Sequence, residues 1–224
     1  MNIKAVGFII VISILTLSTT FIYSDGEMFT GLRVKDMYPL QHILKYKYIN
    51  YENKQPLELV RNIIKELDIE NNERYFKTGV KYVNGSVYEI PIQEIADFGI
   101  KAAHTNTYCN IFVIDVLNIV ANTLKDESYR IATNPINANN LRTKFEESPY
   151  WMEVSRENAI ENVQNGRIVV LSYVEQPHGH VAFLNLNSKN GRIFLWNVGA
   201  ENSNNLEWTK SGNTKYFVKI PNKL

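Results

Sequence analysis

The stretch TNTYCNIFVIDVL, residues 105–117, holds the single cysteine of the chain, Cys109, at the threshold of an apolar run with helical spacing. A thiol attacks an amide carbonyl when a base takes its proton, and histidine is the side chain whose ordinary pKa suits that task. Four histidines are present, His42, His104, His178 and His180. His42 lies in a weakly patterned segment, and His104 stands in an expected loop five residues before the cysteine. His180 opens the run HVAFL, whose alternation sets it on one strand face with Ala182 and Leu184. A four-residue hairpin loop, NSKN, closed by Leu186 and Gly191 would set His180 opposite Asn197. Their side chains would then share a face, with Cβ atoms about 5 Å apart. Asn197 could accept from one ring N–H and hold the other ring nitrogen toward Cys109, the orienting role in a Cys-His-Asn arrangement. A one-residue slip would send Asn197 to the opposite face.

Each of these residues also has an ordinary reading. Free cysteine is among the most buried residue types and serves as a small core hydrophobe. A histidine beside a turn is commonly solvated or hydrogen-bonded, and an asparagine near a strand end is commonly a turn former. The pair His178 and His180 has zinc-ligand chemistry at i and i+2, but no third ligand stands at motif spacing. No metal and no cofactor is expected.

Elements with recognisable periods must carry these residues. Cys109, Phe112, Val113, Val116, Leu117, Val120 and Leu124 recur on one helical face. Ile111, Ile114 and Ile119 widen that face around most of the circumference, predicting a central helix packed on a sheet. Thr105, Asn106 and Thr107 are candidate N-caps, which puts Cys109 in the first turn. Unpaired backbone N–H groups and the helix dipole there favour a thiolate, so a lowered thiol pKa is expected. Residues 154–166 predict a second helix with Ser155 as cap, and the runs 167–175, 180–186, 192–198 and 215–220 predict strands. Upstream, residues 56–69 predict an amphipathic helix, and residues 80–90 a hairpin about Asn84-Gly85. Helices first and an antiparallel meander after indicate an α+β fold.

With 45% hydrophobic residues, the 224 positions suffice for one buried core and are few for two enzyme domains. Lys and Arg number 24 against 23 Asp and Glu, a balance that gives no electrostatic reason to expect a nucleic-acid partner. Residues 5–24, AVGFIIVISILTLSTTFIYS, follow Lys4 and read as an export signal. Cleavage after Ser24 and retention as a membrane anchor are both open, and the expected location is periplasmic or extracellular. Export sharpens the question of Cys109, because cysteines in secreted proteins usually pair as disulfides and a leftover one is intermolecular or free. The expected organisation is a signal or anchor over 1–24, a helical N-terminal extension over 25–75 and a catalytic domain over 76–224.

Taken in order, TYCNIFVIDV, NANNLRTKF, YWMEVSRENAIENVQNGRIVVLSY, PHGHVAFL and WNVGAEN resemble the NlpC/P60 and CHAP-like cysteine peptidases and amidases of the papain-like superfamily. The resemblance spans residues 107 to about 220 and implies a papain-like domain acting on cell-wall peptides. It implies Cys109 as nucleophile, His180 as base and Asn197 in the polar third position. Oxyanion stabilisation would fall to the Cys109 backbone N–H, with the Tyr108 side chain a candidate. Many NlpC/P60 members have Asp-Cys-Ser where this chain has Tyr-Cys-Asn, which leaves open the amide bond cleaved. Hydrolysis of peptidoglycan stem peptides through a thioester is the expected function. The rivals are transfer of the acyl group to an amine, and a catalytically silent envelope protein that binds cell-wall fragments or a protein partner.

Overall fold

The computed structural model describes residues 22–24, 27–29, 55–83, 86–91, 104–133, 136–176 and 179–221. Two compact units emerge, Met1–Arg33 with Thr78–Thr105, and Val34–Lys77 with Asn106–Leu224. In the first, β1 (Ile22–Ser24) pairs with β2 (Glu27–Phe29), and β3 (Thr78–Val83) lies between β4 (Ser86–Pro91) and β5 (His104–Asn106). Val83 faces Ser86, a register in keeping with the hairpin expected over 80–90, whose Asn84 and Gly85 lie outside the described residues. The signal or anchor expected over 1–24 lies outside the described residues except for β1. No helix among the described residues is long and apolar enough to cross a membrane.

The second unit is α+β. Its described helices are α1 (Pro56–Leu67), α2 (Cys109–Leu124), α3 (Ala138–Glu147) and α4 (Arg156–Gln164). Its antiparallel sheet comprises β6 (Trp151–Val154), β7 (Val169–Tyr173), β8 (His180–Leu184), β9 (Ile193–Asn197), β10 (Ser203–Trp208) and β11 (Thr214–Lys219). The spatial order is β10-β9-β8-β7-β11-β6. Strands β7, β8 and β9 pair in the expected antiparallel order and β10 extends them, but β11 returns across the sheet to pair with β7 on one side and β6 on the other. Neither β6 nor β10 was expected from alternation. Only the first residue of β6 is fully buried, and β10 buries only Trp208, as edge strands with one wet side do.

Helix α2 spans the predicted residues and ends at Lys125, whose φ of 53° is a left-handed stop. Cys109 and every residue from Ile111 to Ala121 are buried, so the helix is covered on all sides. β8, α1, α3 and the short 3-10 turns at Glu73–Tyr75 and Glu127–Tyr129 supply that cover. Phe112 meets Phe183 of β8 edge to face at 5.6 Å and Tyr75 at 5.7 Å. Asp115 lies within this apolar helix at 2% exposure, where a lone carboxylate would be costly. Arg74 meets it as a fork, Nε donating to Oδ2 at 2.6 Å and Nη2 to Oδ1 at 3.0 Å, and the Tyr75 hydroxyl donates at 2.9 Å.

Helix α3 has a sequence signal that the strand and helix patterns above did not use. Asn137 caps it by accepting from the Asn140 N–H at 2.7 Å, and Ala138, Leu141 and Phe145 form its buried stripe. Helix α4 follows the expected Ser155 cap, with Ala159 and Val163 buried.

The boundary expected between residues 75 and 76 requires correction. Helix α1 buries Leu57, Leu59, Val60, Ile63, Ile64 and Leu67 and packs on α2, so residues 56–77 belong to the compact unit that contains Cys109. The physical reason is the all-round apolar surface of α2, which the sheet covers on one side only. Ile63 is 0% exposed, and Ile63→Ala should destabilise the protein by about 2–5 kcal/mol. Glu66→Ala, on the exposed face of the same helix, should change stability by less than about 0.5 kcal/mol. Urea denaturation followed by circular dichroism measures both, and equal effects would contradict the packing of α1.

Candidate active site

Cys109 is the first residue of α2, and Tyr108 occupies the cap position without a side-chain cap bond. Thr105, Asn106 and Thr107 therefore do not serve as caps, contrary to the expectation from their types. Among the causes acting on the Cys109 thiol, the Thr107 side chain and the main chain of Val181, Asn110 and Cys109 itself favour the thiolate. Val181 directly follows His180 on β8, the strand against which α2 packs. Tyr108 is itself buried at 5% exposure.

Burial raises the Cys109 pKa from its ordinary value, outweighing the hydrogen bonds that favour the thiolate. The lowered thiol pKa expected from the helix start is thus corrected. Cys109 is 2% exposed, and removing a thiolate from water costs more than a helix terminus returns.

His180 and Asn197 are brought together, with His180 Nε2 and Asn197 Oδ1 2.7 Å apart. Asn197 Nδ2 donates to the Glu201 carbonyl at 2.6 Å, which fixes which end of the amide faces the ring. Since Oδ1 can only accept, Nε2 carries the proton and Nδ1 keeps its lone pair. The imidazole is therefore oriented as a base through Nδ1. Burial lowers its pKa from 6.5 to about 4, opposed by the Asn197 bond and reinforced by the Lys210 charge. Both the thiol and the imidazole are consequently neutral at pH 7.

The pairing arises by a different register from the one expected. Phe183 faces Trp196 and Leu184 faces Leu195, a displacement of two residues from the alignment of His180 with Asn197. The tight turn is Asn190-Gly191, with φ of 52° and 75°, closed by Lys189 and Arg192. Residues 186–188 form an irregular step on the β8 side, where the Ser188 hydroxyl accepts from the Phe194 N–H at 2.9 Å and donates to the Phe194 carbonyl at 3.0 Å. Because side chains alternate with a period of two, a two-residue displacement keeps Asn197 on the face of His180.

Several neighbours of the imidazole carry no local sequence signal. Trp208 stacks on the His180 ring at 5.5 Å and 14°, while Tyr173 faces His180 across the β7–β8 ladder and meets Trp208 edge to face at 5.6 Å. Lys210 Nζ lies 4.7 Å from the Tyr173 ring centroid and pairs with Glu175 at 3.4 Å. Gly199 backs the imidazole so closely that a Cβ there would lie 3.3 Å from His180 Cε1. A Trp distant in sequence becomes legible as a site residue only when the sheet brings it to the ring.

His42 and His178 lie outside the described residues, and with His178 the HGH metal reading. Among the described residues no group of three or more His, Cys, Asp or Glu could hold a metal ion. No protein-family model, curated protein or solved structure matches the chain.

A depressed histidine pKa has a consequence for stability. Between pH 6.5 and about 4 the unfolded chain binds a proton at His180 that the folded chain refuses. Stability is thus full above pH 6.5 and is lost progressively as the pH falls from 6.5 to about 4, by on the order of 3 kcal/mol. His180→Gln should remove that part of the pH dependence, seen as a flatter curve of urea midpoint against pH. Parallel curves for wild type and variant would contradict the half-buried, neutral imidazole.

Proposed function

We propose that this chain is an exported cysteine peptidase or amidase of papain-like fold that hydrolyses an amide bond in peptidoglycan stem peptides. The observation that carries the reading is the His180 to Asn197 hydrogen bond at 2.7 Å, on β8, the strand against which the helix that begins at Cys109 packs. The run of motifs around Cys109, His180 and Asn197 supports the substrate class, and the apolar residues 5–24 support export or membrane anchoring.

The chemistry follows from the neutral pair. His180 Nδ1 takes the thiol proton as Cys109 Sγ attacks the carbonyl carbon, so charge develops during attack rather than before it. The main-chain N–H groups of Cys109 and Asn110 at the free start of α2, with Tyr108 as a side-chain candidate, stabilise the oxyanion. Collapse breaks the C–N bond as the imidazolium protonates the leaving amine, leaving a thioester. Water, deprotonated by His180, cleaves the thioester and restores the thiol. Asn197 holds the ring in its productive tautomer throughout.

Burial of the thiol favours a second reading, a catalytically silent envelope protein that keeps this fold to bind cell-wall fragments or a protein partner. Native protein and its variants incubated with purified sacculi, with mass analysis of the products, separate the two. Cys109→Ala should abolish turnover and leave the fold intact. His180→Ala should cost about 100-fold or more. Asn197→Ala should give a smaller loss, since it removes orientation and not proton transfer, and His178→Ala should remain near wild type. Absence of any product from wild type would support the silent reading.

Alkylation gives an independent check. Iodoacetamide should label native Cys109 more slowly than an exposed thiol at pH 7, with the rate rising with pH because the neutral thiol must ionise. Rapid labelling near pH 6 that falls in His180→Ala would instead show a preformed thiolate–imidazolium pair.

A further inference from the structure

We infer that Asn202, clamped between the loop behind His180 and the segment 69–75, is a positioning residue that aligns the His180–Asn197 pair with the helix carrying Cys109. The inference rests on the catalytic reading for its effect on turnover, and on geometry alone for its effect on the imidazole. Cys109 and the His180–Asn197 pair stand on different elements, and α2 and the loop after β9 need a common reference to keep their relative placement. The turn at residues 69–75 is that reference.

On one side, Arg74 and Tyr75 are bound to α2 through Asp115, six residues along the helix from Cys109, and Tyr75 packs edge to face on Phe112. On the other, Asn202 Nδ2 donates to the Ile69 carbonyl at 2.9 Å and to the Tyr75 carbonyl at 3.1 Å. Its Oδ1 accepts from the Gly199 N–H at 3.1 Å. The amide thus uses both donor hydrogens on the turn and its acceptor on the loop. Glu70 adds a second tie, its Oε1 accepting from the Asn204 backbone at 3.0 Å and side chain at 2.9 Å.

The loop so held is the one that shapes the base. Gly199 lies against the imidazole, and the Glu201 carbonyl fixes the Asn197 amide that fixes the His180 tautomer. A continuous path of buried or partly buried bonds therefore runs from the Cys109 helix through Asp115, Arg74 and Tyr75 to Asn202, and from there to Asn197 and His180. Ile69 and Tyr75 are each 0% exposed, so the carbonyls that Asn202 grips sit on anchored residues. Deleting the clamp frees the loop, which lets the Asn197 amide rotate and the ring exchange tautomers.

The test is nitrogen-15 NMR of the His180 imidazole in the intact chain, assigned by comparison with His180→Gln, alongside sacculus digestion. Wild type should show a single Nε2–H tautomer. Asn202→Ala should show tautomer averaging and a His180 pKa moved from about 4 toward 6.5, while its urea midpoint remains cooperative. Turnover should fall about 10- to 100-fold in kcat with KM changed little, as expected for a misaligned base. Asn202→Asp keeps the shape and the Gly199 bond but sets an oxygen against two carbonyls. It should show the same tautomer averaging, and it decides the matter if Asn202→Ala fails to fold. An unchanged tautomer and kcat in a folded variant would reduce Asn202 to a structural residue and overturn the inference. If wild type yields no product, the proposed function fails, and the tautomer measurement still decides the role of Asn202.

Discussion

Helix α2 is apolar around nearly its whole circumference, and everything else in its compact unit answers the need to cover it. A sheet covers one side of a helix, so α1, α3 and two short turns must close the rest. That requirement draws residues 56–77 into the same core as the strands and makes the N-terminal helix part of the site's foundation. It also explains the Arg74–Asp115 pair. A carboxylate in an otherwise apolar helix is tolerated only with a full set of donors, and breaking such a pair typically costs about 3–5 kcal/mol. The pair ties Arg74 and Tyr75 to that side of the helix.

The same burial sets the chemistry of the site. Withdrawal from water disfavours both charged forms, raising the thiol pKa and lowering that of the imidazole. The helix start and the hydrogen bonding that favours the thiolate do not reverse this. The thiol and the oriented imidazole are therefore both neutral, with Trp208 stacked on the ring as a further barrier to water. Such an imidazole is unprotonated at every pH above about 4, and no thiolate is prepared in advance. How the ring is held rests on the loop from Asn197 to Asn202, through the Asn197 amide and the close approach of Gly199.

Much of the fold was legible because its signals are local. The helical period from Cys109 to Leu124, the Ser155 cap and the alternation of β8 and β9 each appear within a dozen or so residues. The strands that were missed, β6 and β10, are edges with one wet face, where alternation is weak. The return of β11 between β7 and β6 cannot be read from the chain, since pairing partners far apart in sequence leave no local mark. The union of His180 and Asn197 was reached from an inexact register. It survived because the true displacement is even, and an odd one would have separated them.

By itself, then, the sequence determined the α+β class of its second unit, the helix that begins at Cys109, and the common face of His180 and Asn197. These depend on periodicity and turn chemistry, which act between near neighbours. Only the tertiary structure decided that residues 56–77 belong to the core, that Arg74 and Tyr75 meet Asp115, and that Asn202 grips Ile69 and Tyr75. It also decided the protonation of the thiol and imidazole, because desolvation is set by everything packed around a group and not by the residues beside it in the chain.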